Sequence, residues 1–204
     1  MSIARKTSRR MLAWIDDVGG YLICFGDEVL LGQPASASST SGRAEIPILA
    51  DLSRRHASIR REGESYVLTP IHRVRIAGQQ LAGATLLADS TLIELGEAVR
   101  LRFRKPHALS ATAVLTIESH HKTDPAVDNI LLMSESCVFG AGRHSHIQCR
   151  RWTSEFVLFR RGEELHFRTS AGVHLNGAPA SSAGVVAGNC RVECDDFAMS
   201  FEEI

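Results

Sequence analysis

The stretch Leu52-Ser53-Arg54-Arg55-His56-Ala57 is the most informative part of this chain, because it sets a hydroxyl, two guanidiniums and an imidazole in four consecutive positions. Together these groups suit the recognition of an anion. Serine offers a short donor, and each hydrogen bond from arginine to an anion contributes about 1.5–3 kcal/mol. The alternative is that the two arginines only solvate a loop ahead of a strand. The sequence on both sides of this stretch decides between these interpretations.

The surrounding segments alternate between apolar and polar residues, as β-strands with one buried face do. Val99, Leu101 and Phe103 alternate with three arginines. Turn residues separate the short apolar runs, for example at 16–20 and 26–27, as hairpins require. No stretch carries a sustained helical stripe. The sequence therefore predicts an all-β protein built as an antiparallel β-sandwich.

The order of these segments resembles the forkhead-associated (FHA) domain, a β-sandwich that binds phosphothreonine peptides. In that family a strand ending in Gly-Arg precedes a Ser-x-x-His loop. Two further strands then lead to a Thr-Asn-Gly-Thr turn and a closing Asn-Gly hairpin. In this chain Gly32 ends the first such strand, Ser53 and His56 form the loop motif, and 74–78 stands where the closing hairpin belongs. The resemblance covers residues 11–106 and implies an FHA/SMAD-like sandwich there.

Only part of the family's phosphate chemistry is present. Ser53, Arg54 and His56 match the family's loop, but the arginine expected after the glycine is Gln33. The asparagine of the Thr-Asn-Gly-Thr turn falls at His72. Losing one charge-assisted and one neutral hydrogen bond costs about 2–4 kcal/mol. A micromolar ligand would then bind at roughly tens of micromolar to millimolar.

The resemblance implies a ligand site on the loops at one end of the sandwich. The residues predicted to hold or rim an anion are Ser53, Arg54, Arg55, Gln33, Arg43, His72 and Arg73. Gly32 and His56 are predicted to be structural, with His56 fixing its loop by hydrogen bonds. The expected function is that of an adaptor that binds a phosphorylated or acidic protein segment. A scaffold that keeps the fold without the phosphate pocket remains the alternative.

The second half of the chain repeats the first. The strand–turn–strand–glycine block at 21–32 is echoed at 130–140, and Leu175-Asn176-Gly177 falls where a second closing hairpin belongs. The sequence therefore predicts two tandem sandwiches, an FHA domain at 11–106 and a degenerate FHA-like sandwich at 111–204. Ala141 and Ala171 stand where that unit should have its arginine and its asparagine, and no Ser-x-x-His loop is present. A short β extension packed on the first domain is the other interpretation.

Composition and charge exclude several classes of protein. A hydrophobic content of 44% supports folded cores, and the longest apolar runs are too short for a membrane span. Residues 1–106 carry 15 Lys+Arg against 11 Asp+Glu, and residues 107–204 carry 8 against 12. A balance of +4 suits an anionic protein partner or docking of the two halves. This balance is too small to favour binding of nucleic acid, and the arginines are not interleaved with aromatic residues.

Neither a cofactor nor catalysis is expected. His144, His146 and Cys149 lack the spacing of a zinc knuckle, and thiols in a core explain Cys190 and Cys194. Ser53 and His56 could be mistaken for a nucleophile and its base, but no third group is placed to orient the imidazole. Five cysteines without a secretion signal favour a cytoplasmic protein with reduced thiols. The oligomeric state is left open.

Overall fold

The computed structural model describes residues 9–35, 43–107 and 109–204. The strands, in chain order, are β1 (Arg10–Ile15), β2 (Gly19–Cys24), β3 (Glu28–Gly32), β4 (Ile46–Pro47), β5 (Ala57–Glu62), β6 (Ser65–Pro70), β7 (Val74–Ile76), β8 (Gln79–Gln80), β9 (Thr85–Leu86), β10 (Leu92–Leu95), β11 (Val99–Arg104), β12 (Ala113–Ile117), β13 (Asn129–Leu132), β14 (Ser136–Gly140), β15 (Ile147–Gln148), β16 (Phe156–Arg161), β17 (Glu164–Thr169), β18 (Val173–Leu175), β19 (Ala178–Ala180), β20 (Ala183–Val186), β21 (Cys190–Glu193) and β22 (Ala198–Glu203). Over these described ranges no residue is helical, so none of them forms a helix that could cross a membrane.

The strands form three sheets, and the prediction of an all-β sandwich fold is confirmed. Two sheets have five strands each, in the orders β4-β3-β5-β6-β9 and β15-β14-β16-β17-β20. The third sheet has twelve strands, in the order β19-β18-β21-β22-β1-β2-β13-β12-β11-β10-β7-β8. We call the first five-stranded sheet with β13-β12-β11-β10-β7-β8 the N-terminal sandwich. The second five-stranded sheet with β2-β1-β22-β21-β18-β19 is the C-terminal sandwich.

The two small sheets pack on opposite faces of the long one. Leu12 and Leu22 of the first hairpin belong to the core under the N-terminal small sheet, whereas their neighbours Met11 and Ile23 belong to the core under the other. The central strands β1, β2, β13 and β12 therefore contribute to both cores. Such strands become continuous apolar runs, as in Tyr21–Cys24, because neither face meets water.

Strand pairing crosses the predicted boundary between 11–106 and 111–204. Strand β1 pairs with β22 near the end of the chain, and β12 pairs with β11, so each sandwich includes a hairpin from the other half of the sequence. At the centre β2 and β13 run parallel, with Leu22 opposite Ile130. The two sequence ranges remain a prediction about folding units, but they are not the strand content of the two sandwiches.

The short connection from β11 to β12 explains this arrangement. Arg104 pairs with Val114, so residues 105–112 close a hairpin. Pairing with the strand that directly precedes it costs β12 less loop-closure entropy than a crossing to the far side of the sheet. The Tyr66 hydroxyl of the N-terminal small sheet fixes the hairpin, lying 2.5 Å from Ala111 O and 3.2 Å from Leu132 O.

Candidate functional site

Gly32 lets the β4–β5 loop approach the end of β3 closely. A Cβ on this residue would lie 2.2 Å from the carbonyl oxygen of Arg54 and 2.7 Å from that of Ser53, so only glycine fits. The next amide, of Gln33, donates to Ser53 O at 3.1 Å. These contacts bring Gly32, Gln33 and the Ser53–Arg55 segment together at one end of the N-terminal sandwich.

His56 joins three loops at this end. Its Nδ1 accepts from the Ser53 amide at 3.3 Å, and its Nε2 lies 2.8 Å from Arg73 O and 3.1 Å from the Gly96 amide. Since Nδ1 is an acceptor, Nε2 carries the proton and donates to Arg73 O. Burial lowers the pKa of His56, against the opposing effect of the bond to Arg73. The ring is therefore neutral near pH 7 and acts as a structural link.

The polar side chains of the site lie on the outer side of the loops that His56 joins. Arg54, Arg55, His72 and Gln33 are exposed, and Ser53 is partly buried. The ring of His72 lies 5.6 Å from that of His56, centroid to centroid. Arg73 is also exposed, but its guanidinium forms a salt bridge with Glu97 in the β10–β11 turn. The end thus presents a hydroxyl and several cationic groups, and Arg73 among them is paired with Glu97.

Arg43 lies near Arg10, at the start of β1. Its charge contributes to lowering the pKa of Arg10, for which burial is the larger cause. The Arg10 guanidinium donates to Glu45 O at 3.0 Å, and Glu45 in turn accepts from the Leu30 amide at 2.7 Å. These neighbours belong to the middle of β3 and the start of β1.

The loop between β12 and β13 packs against the start of the β4–β5 loop and forms a wall beside this end of the sandwich, a contact that the sequence did not predict. The amide of Leu49 donates to Lys122 O at 2.8 Å, and Ile48 pairs with Thr123 in an isolated antiparallel bridge. Beside this wall, a shallow open depression is lined by Gln33, Pro34, Leu49, Ala50 and Asp51. The exposed side chains of Leu49 and Ile71 give the end apolar surface next to its cationic groups.

The equivalent loop of the C-terminal sandwich has a different composition. Phe139 pairs with Phe156 as Leu31 pairs with Ala57, so Glu155 stands at the position of His56. Glu155 directly precedes β16, as His56 directly precedes β5. A Cβ on Gly140 would lie 3.2 Å from Cγ of Glu155, 3.4 Å from Oγ of Ser145 and 3.9 Å from the backbone Cα of Glu155, so this loop lies less tightly on its strand than the loop on Gly32.

A carboxylate occupies the outer side of this second loop. Asp196 accepts hydrogen bonds from the Thr153 amide, at 3.0 Å to Oδ1 and 2.9 Å to Oδ2, and from the Ser154 amide at 2.7 Å. Burial alone would raise the pKa of Asp196, but the bonds from these two amides lower it. The residue lies in the β21–β22 turn, which is the counterpart of the Glu97 turn. The adjacent acids Asp195 and Asp196 are visible in the sequence, but their contact with the loop is not.

A histidine and several cysteines of the C-terminal sandwich are buried. Over the described ranges no group of three His, Cys, Asp or Glu side chains is arranged to hold a metal ion. His146 accepts from the Val138 amide at 3.0 Å and pairs with Ser110 Oγ at 2.9 Å, and burial followed by the charge of His107 lowers its pKa to about 4. Cys137 and Cys149 are buried, and burial raises the pKa of each thiol.

Comparisons with known proteins return FHA structures. No protein-family profile and no curated protein matches the chain. Among solved structures, the FHA structure of Rv0020c is 19% identical, covers 45% of this chain and 89% of its own, and has a TM-score of 0.27. The N-terminal FHA domain from EssC, a component of the bacterial Type VII secretion apparatus, is 11% identical, covers 96% of this chain and 94% of its own, and has a TM-score of 0.26.

The prediction of a β-sandwich is confirmed by the three sheets of the structure. The two FHA structures are ones to which this chain is similar.

Proposed function

We propose that this protein is a protein–protein interaction module whose N-terminal loop end binds a phosphothreonine-containing or acidic segment of a partner. The observation that carries the proposal is the loop of Ser53, Arg54 and Arg55, fixed from inside by His56 and by close packing on Gly32. A rigid loop presents its donors without first losing conformational entropy, which favours binding. Charge-assisted hydrogen bonds to an oxyanion are the strongest contacts such a loop can make.

Two features make the proposed affinity low. Gln33 is neutral where the resemblance implies a cation, and the guanidinium of Arg73 is already bonded to Glu97. Both features also favour the second candidate, a phospho-independent scaffold. An anion could still compete for Arg73, because its side chain and that of Glu97 are exposed, and exposed ion pairs contribute only about 0–1 kcal/mol.

Calorimetric titration of the full chain separates the two candidates. A phosphothreonine peptide should bind most tightly, its Glu-for-Thr form more weakly, and its unphosphorylated form most weakly. Ser53→Ala and Arg54→Ala should each weaken phosphopeptide binding about tenfold, the loss of about 1.4 kcal/mol. Arg60→Ala is the matched control, because it removes an exposed arginine paired with Glu62 at the other end of β5. Equal affinity for all three peptides would leave the scaffold function.

A further inference from the structure

We propose that the C-terminal sandwich contains an oxyanion site that its own Asp196 occupies. The site consists of the consecutive amides of Thr153 and Ser154, which direct three short contacts of 2.7–3.0 Å at one carboxylate. Two neighbouring amides that converge on one negatively charged group form the kind of backbone concavity that binds carboxylate or phosphate oxygens. Asp196 is therefore an internal ligand, and an external oxyanion can bind only when this carboxylate is absent.

The position of the two amides supports this interpretation. By strand register Thr153 and Ser154 correspond to Arg54 and Arg55, the residues that precede β5 in the N-terminal sandwich. The acid in the corresponding turn there is Glu97, and it bonds to Arg73 rather than to a loop amide. Gly172 stands where the C-terminal sandwich would need that arginine. Gly172 cannot pair with Asp196 as Arg73 pairs with Glu97, and Asp196 is bonded to the loop amides instead.

The turn that carries Asp196 is fixed against the loop. The Cys194 amide donates to Phe197 O at 2.8 Å, and the ring of Phe197 stacks on that of Trp152, with centroids 4.5 Å apart. The carboxylate is thus held in place by the packing of its neighbours, which makes it an effective competitor. The cleft around it is lined by Arg150 and Arg151, and also by acids at Asp16, Asp17 and Asp195. These acids keep the affinity for any external oxyanion weak.

The test follows the Thr153 and Ser154 amide resonances of the full, ¹⁵N-labelled chain while inorganic phosphate is added at pH 7. In the wild type we expect no saturable shift. In Asp196→Ala we expect both amides to shift with saturation, at an affinity at least tenfold above any wild-type binding. Asp195→Ala is the matched control, because it removes the same charge from an exposed neighbour and should behave as the wild type.

A folded Asp196→Ala variant whose Thr153 and Ser154 amide resonances do not shift with added phosphate would overturn the proposal. A response of equal size in Asp195→Ala would overturn it as well, since net charge alone would then explain the effect. Should Asp196→Ala fail to fold, Asp196→Asn keeps the size and one acceptor oxygen of the side chain. It should give a response between those of the wild type and a fully open site, and a flat titration of folded Asp196→Asn would likewise overturn the proposal. Phosphate binding at the Ser53 loop shifts different amides, so the outcome is separate from the function proposed for that loop.

Discussion

The two loop ends occupy the same place on two similar sandwiches, yet they are held in different ways. In the N-terminal sandwich a buried neutral imidazole, His56, ties the loop to its neighbours from the inside. In the C-terminal sandwich an acidic side chain, Asp196, holds the loop amides from the outside. The N-terminal loop is held by a side chain on its inner side, whereas the C-terminal loop has two amides bonded to a carboxylate on its outer side. The same scaffold therefore has one end for which we propose a ligand, the open end, and one end whose loop amides are already bonded to Asp196, the closed end.

The largest expected effect comes from completing the binding chemistry of the open end. Gln33→Arg together with His72→Asn should raise phosphothreonine peptide affinity by about 2–4 kcal/mol, roughly 30- to 1,000-fold, because one charge-assisted and one neutral contact are added. Calorimetry on the full chain measures this change. The matched control, Ala141→Arg with Ala171→Asn, makes the corresponding changes at the closed end and should add no affinity while Asp196 remains. A correctly folded open-end variant without any gain would show that the loop geometry has diverged.

Acid should destabilise the C-terminal sandwich, because protonation of a histidine removes the acceptor of a strand amide's hydrogen bond. The amide of Leu30 in β3 is bound by Glu45, and the corresponding amide of Val138 in β14 is bound by His146. The pKa of His146 lies below its ordinary 6.5, at about 4, so the unfolded chain binds its proton first as the pH falls. Stability should be full above pH 6.5 and should fall by about 3 kcal/mol as the pH approaches 4.

Urea unfolding at pH 7.5, 5.5 and 4.5 measures this loss. His146→Gln keeps a polar side chain but has no proton to gain, so the variant should lose less stability over the same pH range. Glu45→Gln is the parallel change in the N-terminal sandwich and should leave the steep dependence between pH 6.5 and 4 in place. Identical pH dependence in the wild type and in His146→Gln would contradict the assignment.

Alanine at the glycine that ends each strand should destabilise the two sandwiches to different extents, because the two loops pack on their strands with different closeness. Gly32→Ala places its Cβ against loop backbone and should lower the free energy of unfolding by about 2 kcal/mol. Gly140→Ala meets the flexible side chain of Glu155 and should cost less than about 1 kcal/mol. Chemical denaturation of both variants measures the difference. Equal losses would mean that the two loops pack on their strands equally closely.

The smallest effect is local and depends on pH. Because burial lowers the pKa of His56, its protonation below pH 6.5 should loosen the Ser53 loop by removing the acceptor at Nδ1. The pKa of Asp196 is also lowered, so the amides of Thr153 and Ser154 should keep their partner until the pH falls below 3.8. Amide hydrogen exchange at pH 7 and 5 should show faster exchange at Ser53 and little change at Ser154 relative to the intrinsic rates. Faster exchange at both loops would mean that acid acts globally.

The local parts of the fold follow from the sequence. Alternation in 99–104 and the Glu62–Gly63–Glu64 turn predict strands and a hairpin that the structure has at β11 and between β5 and β6. The convergence of the Ser53 loop on Gly32 was also predictable, because a motif of known spacing fixes local geometry. The part that Arg43 takes in the site stays a prediction, since its charge interacts with Arg10, a residue distant in the chain.

Only the tertiary structure decides which hairpin completes which sandwich and which acid meets which loop. Hairpins β1–β2 and β12–β13 have similar apolar patterns, so hydrophobicity cannot choose between them, and the short connection at 105–112 does. Because the two halves of the sequence exchange hairpins, the net charge of each sandwich differs from that of each half. Residues 26–132, which contain the strands of the N-terminal sandwich, carry 12 Lys+Arg and 12 Asp+Glu, so the two sandwiches have equal net charge although the two sequence halves do not. Asp196 and the Ser154 amide meet across 42 residues of chain. Composition and alternation set what each strand can bury, but contacts between distant segments depend on a free-energy balance over the whole chain.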